Sequence, residues 1–110
     1  MAKNFGGFGG GNMQAMMRQA QKMQQDMKKA QEELQESEIT ASSGGGVVEV
    51  TINGSKELLS IKIKPEAMDR EDPEMLEDLI TAAFNDAYHQ LEELSEKIMG
   101  PYASMLGGLL

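Results

Sequence analysis

Ser43-Gly44-Gly45-Gly46-Val47-Val48-Glu49-Val50-Thr51-Ile52-Asn53-Gly54 and the run after it, Ser55-Lys56-Glu57-Leu58-Leu59-Ser60-Ile61-Lys62-Ile63-Lys64-Pro65, decide the fold. Val48, Val50 and Ile52 alternate with Glu49, Thr51 and Asn53. A period of two puts the first set on one face of a strand and the second on the other. Asn53-Gly54 is a strong turn signal and predicts a hairpin with positive φ at Gly54. The next strand is read with Leu59, Ile61 and Ile63 buried and Ser60, Lys62 and Lys64 outward, closed by Pro65. Upstream, Ile39, Ala41 and Ser43 make a shorter alternation, and Ser42 to Gly46 form a turn or bulge. Residues 39–64 are therefore expected to be a three-stranded antiparallel sheet with one apolar and one wet face.

On either side the period changes to that of a helix. Before the sheet, Met13, Met16, Ala20, Met23, Met27, Ala30 and Leu34 follow one another at alternating spacings of 3 and 4. That is an a/d heptad seam, narrower than the stripe of an ordinary globular helix. A helix over 12–38, capped by Asn12, would be roughly 40 Å long. So small a sheet cannot cover such a rod, so part of the seam meets another helix, its own or a partner's. Met16, Ala20, Met23 and Met27 are the candidate dimerisation positions. After the sheet, Asp72-Pro73 supplies a cap and a first-turn proline. Leu76, Ile80, Phe84, Ala87, Leu91, Leu94 and Ile98 then mark a second helix over 72–99, stopped by Gly100-Pro101. The expected order is α-β-β-β-α, an α+β fold in a single domain spanning 1–110. Residues 1–11 are read as a flexible Gly-rich tail and 100–110 as an apolar tail. The glycine run has no strand before it, no GxGxxG spacing and no GK[ST] ending, so it is not a phosphate loop.

Composition narrows the function. The chain has 110 residues, one histidine, no cysteine and a net charge of −8. Disulfides and thiolate metal sites are excluded. The apolar runs are too short for a membrane span, and Met1 to Phe5 lack a signal-peptide core, so a cytoplasmic address is expected. Asp69, Glu71, Asp72 and Glu74 cluster before the second helix. A hydrolytic metal site is the sharper reading and a dipole-matched helix start the blander one. His89 has no HExxH partner, and the serines stand in no GxSxG context. Neither an enzyme, a metal, a cofactor nor a small-molecule substrate is expected.

The charge is unevenly spread. Between Met13 and Ala30, Arg18, Lys22, Lys28 and Lys29 face only Asp26, a net +3, whereas Glu66 to Lys97 carry a net −9. In heptad terms Arg18 is at f, Lys22 and Lys29 at c and Lys28 at b, all away from the seam. Such a stripe can follow a phosphate backbone. It can equally be the solvated outer face of a coiled coil.

A resemblance bears on that choice. The run Ser43 to Gly54 resembles the sheet signature of the YbaB/EbfC family of bacterial nucleoid-associated proteins. So does Glu74-Met75-Leu76-Glu77-Asp78-Leu79-Ile80-Thr81-Ala82-Ala83-Phe84-Asn85-Asp86-Ala87 in the second helix. The Met/Gln-rich Met16-Met17-Arg18-Gln19-Ala20-Gln21-Lys22-Met23 completes the match. It implies a tweezer-like homodimer that binds double-stranded DNA with little sequence preference and acts in nucleoid organisation and gene expression. Arg18, Lys22, Lys28 and Lys29 are then the candidate DNA-binding residues. The other open reading is a protein-interaction adaptor for a replication or repair partner, docking through its apolar tail or acidic helix.

Overall fold

The computed structural model describes the backbone of residues 2–103 and the side chains of residues 12–103. The elements follow in the order α1 (Ala2–Glu36), β1 (Glu38–Ser43), β2 (Val48–Asn53), β3 (Leu58–Ile63), a 3₁₀ turn (Pro65–Ala67), α2 (Pro73–Met99) and a second 3₁₀ turn (Gly100–Tyr102). The three strands form one antiparallel sheet in the order β1-β2-β3. The expected α-β-β-β-α architecture is thus present.

The sheet's inner face is built in rows. Ile39 stands opposite Ile52, Ala41 opposite Val50 and Ser43 opposite Val48. On the other side Val50 faces Ile61 and Val48 faces Ile63. α2 lies over β1 and β2 and seals Val48, Val50 and Ile52 completely, with Ala83, Ala87 and Leu91 on its own buried side. Alanine at two of these three positions lets the helix sit close to the strands. On the wet face the hydroxyls of Thr40 and Thr51 are hydrogen-bonded across the strands at 2.8 Å.

Turn chemistry explains the connections. Gly44, Gly45 and Gly46 all take positive φ in the β1–β2 loop, a conformation that residues with a Cβ rarely adopt. Ser43 Oγ donates to the Leu79 carbonyl at 2.6 Å and pins the end of β1 to α2. Asp72 caps α2, its Oδ1 accepting from Met75 N–H at 3.2 Å, with Pro73 in the first turn.

Several expectations are corrected. α1 begins at Ala2, not at Asn12, so the backbone of the supposed Gly-rich tail is helical. Glycine costs a helix about 1 kcal/mol relative to alanine but is not sterically barred from it, and no proline interrupts the run. α1 ends at Glu36, where Ser37 Oγ bonds back to the Glu33 carbonyl at 2.7 Å. α2 itself ends at Met99, and one tight 3₁₀ turn follows through Tyr102. The apolar residues 104–110 lie outside the described residues.

The β2–β3 connection is also not the two-residue turn expected of Asn-Gly. It runs over Gly54 to Glu57, with the positive φ at Lys56 rather than Gly54. Asn53 Oδ1 organises it, accepting from Ser55 and Glu57 N–H at 2.9 and 3.0 Å. Gly54 serves a different purpose: a Cβ there would overlap the Leu34 carbonyl of α1. Finally, Leu59 and Ile61 are exposed rather than buried. The register slips between Thr51, opposite Ser60, and Ile52, opposite Leu58, leaving Leu59 unpaired as a bulge. α2 is centred on β1 and β2, so among the described residues the edge strand β3 has no cover.

Candidate nucleic-acid interface

The molecule is 87 Å along its longest axis with a radius of gyration of 23.3 Å, where a compact chain of this length would have about 13 Å. The excess is α1. Its C-terminal part docks on the C-terminal half of α2: Ala30 is buried, Leu34 packs on the core, and Asp26, Lys29 and Glu33 border a recess with Ile98 and Tyr102. From Asn12 to Gln25 every residue is exposed. The heptad seam is thereby divided. Ala30 and Leu34 are covered by this chain's own body and Met27 is half-buried, while Met16, Ala20 and Met23 stand open, Met16 with 68% of its surface accessible.

Arg18, Lys22, Lys28 and Lys29 are all exposed. With about 3.6 residues per turn, Arg18, Lys22 and Lys29 share one helix face, Lys28 flanks it, and the seam lies about half a turn away. Arg18 and Lys22 are on the free arm, and Lys29 is at its root. Among the described residues the one contact between a basic and an acidic side chain within 4 Å is His89 Nε2 to Glu93 Oε1, a solvated i,i+4 approach at 3.5 Å on α2. The four cations are therefore not tied up by carboxylates of the described residues, and four charges on one exposed helix make a point of attraction for a polyanion.

The acidic cluster is engaged in local structure. Asp69 Oδ1 accepts from Glu71 N–H at 2.9 Å, and Asp72 is the α2 cap. Among the described residues no three His, Asp or Glu side chains converge on a point that could hold a metal ion. Among those residues, too, no helix is long and apolar enough to cross a membrane.

Missing from the sequence reading was the apolar edge. Leu58, Leu59 and Ile61 are 47, 46 and 40% exposed, and Met75 of α2 is also exposed. The available signal was Leu58-Leu59, two adjacent leucines that break the alternation of the strand and mark a bulge.

Fold and surface together define a small α+β protein whose distinguishing feature is a cationic helical arm on an acidic body. Comparison with known proteins is specific. The chain belongs to the YbaB/EbfC DNA-binding family, whose model matches residues 9–106. It is 54% identical over 99 residues to a nucleoid-associated protein of Alkaliphilus metalliredigens, covering 89% of this chain and 87% of that one. It is 47% identical over 110 residues to one of Clostridium acetobutylicum, covering 99% and 96%. Among solved structures, an uncharacterized protein of Helicobacter pylori superposes with a TM-score of 0.58 at 29% identity, covering 72% of this chain and 92% of that one.

Proposed function

We propose that this chain is a nucleoid-associated protein of the cytoplasm that binds double-stranded DNA with little sequence preference, as a tweezer-like homodimer. Through that binding the protein influences nucleoid organisation and gene expression. The observation that carries this reading is the set of four cations on the outer face of α1, exposed and without carboxylate partners among the described residues. Charges spaced along a helix match phosphates and carry no base information, so little sequence preference follows. The acidic remainder of the chain repels the duplex and confines contact to the arm.

The test is the combined change Arg18→Ala, Lys22→Ala, Lys28→Ala and Lys29→Ala. Binding to two unrelated duplexes should weaken at least tenfold on both, by a similar factor. The slope of log affinity against log salt should shrink by about 0.9 for each phosphate that is no longer neutralised. Melting should hardly change, because all four side chains are solvated. Undiminished binding by the variant would sink the assignment.

A second copy is the natural cover for the apolar β3 edge at Leu58, Leu59 and Ile61. An exposed apolar edge strand is a liability that proteins cover or pair. Light scattering at micromolar concentration should give twice the 12.0 kDa chain mass. Ile61→Asp, at an exposed position of the edge, should return the monomer mass while far-ultraviolet dichroism stays unchanged. A parent protein that scatters as a monomer would exclude the dimer.

A further inference from the structure

We propose that the open end of the α1 seam pairs with α1 of a second copy belonging to another dimer, so that the protein bridges two DNA duplexes. The proposal rests on the DNA reading above and divides the work between the two apolar surfaces: the β3 edge closes the dimer, and the arms join dimers to each other.

The arm is built for a copy of itself. Met13, Met16, Ala20 and Met23 keep the spacings 3, 4 and 3, which present a continuous knob row to a like helix. Ala20 leaves room between Met16 and Met23, whose flexible side chains adapt to an opposing row. The positions flanking this part of the seam are Met17, Gln19 and Gln24, none of them charged. In coiled coils these flanks choose the partner: opposite charges select a different chain, and like charges forbid a copy. Neutral flanks leave a copy unopposed. The charge of the rest of the chain also favours the arms as the meeting point, since Glu66 to Lys97 carry a net −9 and repel the same region of another molecule.

The direction of the cations then supplies the consequence. They lie about half a turn from the seam. When two arms meet seam to seam, their cationic faces point outward on opposite sides, about 20 Å apart for two helices of roughly 10 Å. One duplex fits each side, which makes a bridge rather than a clamp on a single duplex.

Magnitude decides when this happens. Asn12 to Met23 is about three turns, so each arm offers a strip only about 18 Å long and roughly 10 Å wide. The area they cover is well below the roughly 1,200 Å² of a stable complex. Arms therefore stay apart in dilute solution and pair when several dimers are held together on DNA, where effective concentration multiplies a weak contact.

The test uses the full chain with one duplex immobilised on beads and a second, fluorescent duplex of unrelated sequence in solution. The comparison is the parent against Met16→Gln with Met23→Gln, a change that alters no charge. The parent is expected to retain the fluorescent duplex. The variant should bind the immobilised duplex within twofold of the parent, melt at the same temperature, and capture the second duplex at least tenfold less. Equal capture by parent and variant overturns the proposal. So does a variant that melts lower while capturing normally, which would mean that the seam is covered within the chain or the dimer. Protein bound to the beads is read in the same sample. Bound parent without capture overturns bridging and leaves DNA binding standing, whereas no bound parent overturns both.

Discussion

Gly54→Ala is expected to destabilise the protein by about 3 kcal/mol or more, the upper part of what forced overpacking costs. The added methyl group has nowhere to go. It would overlap the Leu34 carbonyl and press on Gln35 Cα, and both are backbone atoms that no side-chain rotation can move. Relief requires lifting the last turn of α1 off the hairpin. That breaks the bond from Gly54 N–H to the Ser37 carbonyl, now 2.9 Å, and pulls Leu34 from the core it packs against. For a domain of this size the loss should lower the melting temperature by more than about 10 °C. Lys56→Gly is the informative control. Lys56 holds φ of 66° in the same loop, so glycine there should relieve strain and melt at or slightly above the parent. If Gly54→Ala melts like the parent, α1 does not close on the hairpin as described.

Ile52→Ala should cost about 2–5 kcal/mol, because a fully buried branched side chain leaves a cavity that its surroundings cannot fill. Ile52 is wholly inaccessible, with Ile39 opposite it on one side and Leu58 on the other. It is one of the three largest side chains sealed in the core. Urea denaturation of the variant should show a lower midpoint with an unchanged slope. Lys62→Ala on the wet face should change stability by less than about 0.5 kcal/mol. Equal losses at the two positions would reverse the assignment of the faces. Phe84 is a poorer probe than its size suggests. It is only half-buried, its ring tilted against Tyr88 with centroids 4.8 Å apart, so truncation forfeits less than it would in a sealed site.

Much of this was legible in the chain itself, for local reasons. A strand shows alternate side chains on opposite faces, so Val48, Val50 and Ile52 declared their buried side. Asp72-Pro73 declared a helix start because each residue solves a problem that exists only there, a free N–H and a fixed φ. The cationic face of α1 was visible as well, since helical spacing alone separates Arg18, Lys22 and Lys29 from the seam. The sheet signature from Ser43 to Gly54, with the Met/Gln-rich helix and the second helix, was enough to point to the family.

What escaped depended on where one element ends against another. Nothing within Asn53-Gly54 reveals that α1 will lie on it, so the glycine was assigned to a positive φ when close approach is the reason for it. The alternation through Leu59 and Ile61 promised burial, yet burial needs a cover. α2 is one helix wide and sits over β1 and β2, leaving β3 open. The heptad seam likewise reads as uniform from Met13 to Leu34, but α2 reaches only the later part, so Ala30 is buried and Met16 is bare. Sequence by itself determined which face of each element is apolar, because that is set by the pitch of the backbone. Only the tertiary structure decided how much of each face is covered, because coverage depends on the length and placement of elements distant in the chain.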